Sequence, residues 1–173
     1  MTGAETVRIA VVVGNPKAQS RTLGVANAVA DAVAEGIAVA TERFVVDLAE
    51  HAPLLFEQSS DRLTEIGDRV AASSVIVVAS PTFKATYTGL LKAFFDRYGS
   101  QPFKGAVAVP VMTGAGSAHA LAVEVHLRPL LVELGAAVPT RGLYVTEPEL
   151  PDLAGIVGSW AEDAVPLVRR ALA

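Results

Sequence analysis

VRIAVVV at Val7–Val13 runs into Gly14-Asn15-Pro16-Lys17-Ala18-Gln19-Ser20-Arg21-Thr22, and a helical pattern follows over residues 20–34. The first seven residues are almost continuously β-branched, so neither face of the strand offers a polar row to water. Such a strand belongs inside a layered structure, covered on both faces. Gly14 ends it. Ser20 has the side chain of a helix N-cap, and Leu23, Ala26, Asn27, Ala30, Val33 and Ala34 follow at mixed three- and four-residue steps.

Working outward, the same alternation repeats. Residues 37–48 contain a second strand, with Phe44-Val45-Val46 its surest part, and 51–60 read as irregular. A helix over 61–72 turns Leu63, Ile66 and Val70 inward. A third strand, 75–79, is stopped by Ser80-Pro81, and the helix over 88–98 carries a wide apolar stripe of Leu90, Leu91, Phe94, Phe95 and Tyr98. A fourth strand spans 106–112, a Gly-rich loop 113–117, and a helix 118–134 with Pro129 inside it. A short fifth strand lies within 137–145, and a final helix, 152–172, is interrupted at Pro166. Strands alternating with helices imply an α/β fold: a parallel sheet with helices on both faces, three layers in all. Five strands suit the flavodoxin-like order 2-1-3-4-5, in which a ligand sits beside the first and third strands. The six-stranded dinucleotide-binding pattern has no room, and residues 1–173 read as one domain.

Composition narrows the function. Apolar types make up 51% of the 173 residues and charged types 18%, which fits a large core and excludes a mainly disordered chain. Cysteine is absent, which removes disulfides, thiolate catalysis and thiolate metal sites together. A formal charge of −4 gives no general attraction to nucleic acid or to an anionic membrane. No apolar run reaches the ~20 residues of a membrane span. The start, Met1-Thr2-Gly3-Ala4-Glu5, does not read as a signal peptide, and the expected location is the cytoplasm.

Three loops carry the chemistry. The first, residues 14–22, combines Gly14, Pro16, the cations Lys17 and Arg21 and the hydroxyls Ser20 and Thr22 at a strand-to-helix junction. Unpaired amides and partial positive charge at a helix start suit a phosphate, and the two cations can neutralise it. Ser20 as a plain cap explains that residue alone, not the set. Walker and G-x-G-x-x-G patterns are both missing, which argues against a nucleoside triphosphate. The second loop, Ser80-Pro81-Thr82-Phe83-Lys84-Ala85-Thr86-Tyr87-Thr88-Gly89, turns sharply at Pro81. Phe83 and Tyr87 can border a flat ring there, or can equally pack beneath the next helix. In the third, Thr113-Gly114-Ala115-Gly116-Ser117, glycines let backbone amides approach a ligand. A simple turn capped by Ser117 is the competing reading. All three loops are expected at the same side of the sheet.

With these loops in place, the sequence resembles the NAD(P)H-dependent FMN reductase family, a flavodoxin-like group, and especially the FMN reductases of two-component alkanesulfonate monooxygenase systems. Gly14-Asn15-Pro16 with Ser20-Arg21-Thr22 matches the family's G-S-P…S-R loop. Ser80-Pro81-Thr82-Phe83-Lys84 with Gly89-Leu90-Leu91-Lys92 matches P-x-Y-x-x-S/T-x-x-G-x-L-K, and Thr113-Gly114, Ala118-His119 and Leu127-Arg128-Pro129-Leu130-Leu131 match T-G-G…A-H…L-K/R-P-x-L. The resemblance implies FMN phosphate at Ser20, Arg21 and Thr22, with Asn15 and Lys17 nearby. It places the isoalloxazine against Pro81, Thr82, Phe83 and Lys84, with Thr113, Gly114, Ala115 and Gly116 near its polar edge. The chain departs from the pattern with Asn15 for Ser, Lys17 for Arg, Phe83 for Tyr and Ala115 for Gly. Lys17 keeps the charge but loses the bidentate fork.

The reaction implied is hydride transfer from the C4 of NADPH or NADH to N5 of the flavin. The cofactor carries that chemistry and the protein supplies stacking and orientation, so no side-chain acid, base or metal is required. Small-molecule partners are therefore flavin and nicotinamide, with a flavin-dependent monooxygenase as the protein partner. Two alternatives are a flavodoxin-like electron carrier with permanent FMN and a quinone or azo reductase using bound FMN. The modest net charge and the loop cations argue against the carrier. Of the histidines, His51 is expected in a surface loop and His119 in the first turn of a helix, in a capping or packing role. Pro129, three residues beyond His126, predicts a local bulge. In the resembling reductases the matching helix carries such a bulge and takes part in subunit packing, which implies a homodimer or homotetramer with Val125-His126 at an interface near the flavin; an ordinary kinked helix is the competing reading.

Overall fold

The computed structural model describes residues 6–173, so the reading of residues 1–5 lies outside the described residues. Strands β1 (Val7–Val13), β2 (Thr41–Asp47), β3 (Val75–Pro81), β4 (Val107–Gly114) and β5 (Leu143–Thr146) form one sheet in the order β2-β1-β3-β4-β5. Every pairing is parallel. The helices between them are α1 (Arg21–Ile37), α2 (Asp61–Ala71), α3 (Gly89–Phe95), α4 (Arg128–Glu133) and α5 (Leu153–Leu172).

The strand period of two divides the core. Ala10, Val12, Ile76, Val78, Ala108 and Met112 point to one face, where α2, α3 and the segment leading into α4 cover them. Ile9, Val11, Val13, Val77, Val109 and Val111 point to the other, where α1 and α5 pack. Both faces of β1 are thus apolar because both are roofed. At Gly36 a Cβ would lie 2.3 Å from Val165, so the absence of a side chain lets α1 and α5 approach closely.

Several boundaries differ from the sequence reading for physical reasons. Helix α5 is not interrupted at Pro166. The carbonyl that its missing N–H would have engaged belongs to exposed Glu162, where water can take that place. Strand β4 runs two residues further than expected because β5 pairs with Thr113 and Gly114, and β3 extends through Pro81, opposite Thr113. The segment 48–54, expected to be partly irregular, is a 3-10 helix (Leu48–Leu54) capped by Asp47. The helix expected over 118–134 is three pieces: a 3-10 turn (Ser117–His119), a π-helical turn (Val123–Leu127) and α4. Gly116, not Ser117, occupies the cap position of the first piece, and it makes no side-chain cap bond. The π turn stands where Pro129 predicts a bulge. Among the described residues, no helix is long and apolar enough to cross a membrane.

Candidate functional site

The registers Val13↔Ala79, Ala79↔Val111 and Gly114↔Thr146 bring the carboxyl ends of β1, β3, β4 and β5 to one edge. The direction in which strands are added reverses between β1 and β3, since β1 leads out to β2 on one side and the chain then crosses back to β3 on the other. A crevice outside the strand ends is the ordinary outcome at such a switch point. Here it is a cleft of about 520 Å³.

One end of the cleft is lined by Asn15, Lys17, Ser20, Arg21 and Thr22. Ser20 is the N-cap of α1, its Oγ accepting from Leu23 N at 3.2 Å. The amides opening α1 have no carbonyl one turn back to bond, which leaves partial positive charge at the cleft. Asn15 folds the loop through Oδ1, which accepts from Lys17 N at 2.9 Å, while its Nδ2 donates to Thr22 Oγ1 at 3.1 Å. Thr22 Oγ1 lies 2.8 Å from Thr113 Oγ1, so a hydroxyl pair joins the first loop to the third. Gln19 has φ 54° and donates its N–H to Asp47 Oδ2 at 3.0 Å. That bond ties the loop to the end of β2.

The other end is lined by Pro81, Thr82, Phe83, Thr113, Gly114 and Ala115. Thr82 N donates to Thr113 O at 2.7 Å, continuing the β3–β4 pairing into the loops. Phe83 and Thr86 exchange backbone hydrogen bonds of 2.8 and 3.2 Å across Lys84 and Ala85, whose φ values are 50° and 69°. Positive φ at both central positions marks a type I′ turn, which glycine or asparagine would enter at less cost. The turn projects Phe83, 53% exposed, at the mouth of the cleft. Thr88 caps α3, accepting from Leu91 N at 3.1 Å and donating to Gly14 O at 2.5 Å, so the second loop is anchored to the first.

Of the fifteen residues singled out from sequence, eleven line this cleft and Gly14, Pro16, Lys84 and Gly116 do not. Gly14 acts from behind: a Cβ there would lie 2.5 Å from Leu91 Cβ, so its bareness lets α3 pack against the loop. Lys84 sits on the exposed turn. The exposed His119 neither lines the cleft nor packs in the core. His51 is half-buried in the 3-10 helix rather than in a surface loop.

Four lining residues escaped the sequence reading: Gln19, Val145, Glu147 and Leu150. Three of them follow or end β5, and only the position of that short strand beside β4 brings them here. Glu147 forms an ion pair with Arg21 at 2.7 Å, with side chains 48% and 66% exposed. Tyr144, also missed, stands behind the third loop. Its hydroxyl accepts from Thr82 Oγ1 at 3.4 Å and donates to Gly116 O at 3.2 Å. A Cβ on Gly114 would come within 1.9 Å of that oxygen, so Gly114 is required by close approach.

Comparison with known proteins decides the family. Residues 7–148 match the model of the family described as NADPH-dependent FMN reductase. The chain belongs to the NADPH-dependent FMN reductase family. It is thus an oxidoreductase that reduces FMN with a reduced nicotinamide. It is 31% identical over 146 residues to the NADH-dependent FMN reductase SfnF of Pseudomonas putida, covering 81% of this chain and 77% of that protein. It is 28% identical over 149 residues to an FMN reductase (NADPH) of Escherichia coli K12, covering 84% and 76%. An oxidoreductase of Corynebacterium diphtheriae superposes with a TM-score of 0.84 at 26% identity over 96% of this chain and 97% of that one. The apo NADH:FMN oxidoreductase EmoB gives 0.76 at 27% identity over 91% and 89%.

Proposed function

We propose that this FMN reductase binds its flavin in the cleft at the carboxyl ends of β1, β3 and β4, and releases the reduced product to a flavin-dependent monooxygenase. The phosphate is assigned to Ser20, Arg21 and Thr22 with Asn15 and Lys17, and the ring to Pro81, Thr82, Phe83, Thr113, Gly114 and Ala115. The donor set fits FMN, since a cationic, hydroxyl-rich helix start lies at one end of the cleft and loops with exposed backbone and an aromatic ring at the other. The observation that carries the reading is the Thr22–Thr113 hydroxyl pair, which makes these two ends parts of a single site.

FMN bound there supplies the two-electron chemistry by taking hydride from the nicotinamide. The chain's own residues hold and orient. The α1 amides and Lys17 fix the anionic tail, the Thr82–Thr113 backbone bond sets the spacing of the ring loops, and Phe83 presents an apolar face at the mouth.

Delivery to a monooxygenase is supported by likeness to SfnF and SfnE of P. putida, both named as NADH-dependent FMN reductases. A homodimer or homotetramer is supported by Leu121, Val125 and Val132, which are 71%, 57% and 55% exposed on the 117–134 segment. The setting proposed is the cytoplasm. Following absorbance at the nicotinamide band with NADPH or NADH and excess FMN tests the central claim. Turnover of many FMN equivalents is expected. Consumption no faster than the flavin-only blank would overturn it, and a single turnover on retained flavin would favour an electron carrier. Sedimentation showing a monomer at all concentrations would remove the oligomer.

A further inference from the structure

We propose that Glu147 is an affinity-limiting residue, competing with the flavin phosphate for Arg21 so that FMN behaves as a releasable substrate. The inference rests on the phosphate assignment above. Among the described residues, Glu147 is the one carboxylate lining the cleft, and it lies at the cationic end. The nearby Asp47 is 5% exposed, and its oxygens accept from Gln19 N at 3.0 Å and Ala49 N at 3.4 Å, so it serves the backbone instead.

The position of Glu147 is built, not incidental. Strand β5 ends at Thr146, which pairs with Gly114 of the third loop, so the next residue must emerge beside the cleft. The corner is locked by a capping box: Glu149 Oε2 accepts from Thr146 N at 2.7 Å and from Thr146 Oγ1 at 2.6 Å. Pro148 follows directly and restricts the backbone. From this fixed point the Glu147 carboxylate takes Arg21 at 2.7 Å. Among the described residues lining the cleft, a phosphate approaching α1 therefore meets one cation outside an ion pair, Lys17, and must either share Arg21 with a negative group or displace that group. Both routes lower affinity for the phosphate and leave the ring contacts untouched. A reductase that hands on its flavin needs that balance, because tight anchoring of the tail would slow release.

The test uses the full chain and two ligands that differ only in the phosphate. FMN and riboflavin are titrated by flavin fluorescence against the wild type, Glu147→Gln, Arg21→Gln, the double variant and Lys17→Met. Glu147→Gln is expected to bind FMN up to about five-fold tighter at low salt, the ceiling for an exposed pair, with riboflavin unchanged. The gain should shrink as salt screens the charges, and should fall in the Arg21→Gln background. An unchanged FMN affinity, or an equal gain for riboflavin, overturns the inference. If Lys17→Met weakens FMN but not riboflavin while Glu147→Gln does nothing, the phosphate assignment stands and the role of Glu147 fails alone. If no variant separates the two ligands, the assignment itself fails and takes the inference with it.

Discussion

The two ends of the cleft are built by different means. The end at α1 is mainly a short-range construction: Asn15 bonds both Lys17 and Thr22, Ser20 caps α1 through Leu23 N, and the long-range ties to Asp47 and Thr113 only fasten a loop already folded on itself. The end at the second and third loops is a long-range construction, in which Tyr144 reaches Thr82 and Gly116 from across the sheet edge and Gly114 yields space to it. A local site survives substitution at a distance; an assembled one depends on a strand far along the chain. The two ends should therefore fail differently.

The largest effect is expected from Gly114→Ala. A Cβ 1.9 Å from the Tyr144 hydroxyl must push the loop or the ring aside, at a cost of about 1–3 kcal/mol for overpacking. FMN and riboflavin should lose affinity together, by ten-fold or more, and Tyr144→Ala in the same chain should recover part of the loss. Loss of FMN alone would show that the third loop serves the phosphate end.

Thr22→Val should act the opposite way. It removes the hydroxyl between Asn15 and Thr113 with little change of shape, and hydrogen bonds to charged groups are worth roughly 1.5–3 kcal/mol. FMN affinity should fall about ten-fold and riboflavin much less. Equal losses would erase the distinction between the two ends.

A smaller effect tests the cost of presenting Phe83. Ala85 holds φ 69° without being glycine, so Ala85→Gly should stabilise the fold by about 0.5–1 kcal/mol after the entropy of the unfolded chain is counted. Denaturant melting reads this directly. A destabilised variant would mean that the turn is not strained.

The smallest concerns the support of β5. Glu124 accepts from Gly142 N at 2.6 Å and from Arg128 Nε at 2.5 Å, and Arg128 holds the carbonyls of Val138 and Thr140 at 2.7 and 2.6 Å. The Arg128 hydrogen bond, against partial burial, keeps the Glu124 carboxyl below the usual glutamate range. A folded value below the unfolded one adds stability above the ordinary range, and that stability is lost as pH falls through the lowered value. Glu124→Gln should thus cost a few tenths of a kcal/mol near neutrality, and the difference from wild type should vanish in acid. A difference that grows in acid would contradict the assignment.

Much of this was legible along the chain. The β-branched runs at Val7–Val13 and Val75–Pro81 announce strands roofed on both faces, and strand–helix alternation implies a parallel sheet. Strand order needed more, since right-handed crossovers are common to both doubly wound orders and only the count of five strands suited 2-1-3-4-5. The first loop was legible because its chemistry is packed into nine residues. Pro166 misled, because a proline reads as a break until the missing bond is seen to face water.

By itself, then, the sequence determined the layers, the helix cap at Ser20 and the cationic loop, all of which depend on neighbours within a few residues or on a period of two or 3.6. Only the packed molecule brings Val145, Glu147 and Leu150 to the cleft and sets Tyr144 behind its third loop. Their short strand carries little pattern of its own, and its place was set by pairing with Thr113 and Gly114 on β4. The physical reason is that sheet edges are closed by contacts between residues distant in the chain, and such contacts leave no local period to read.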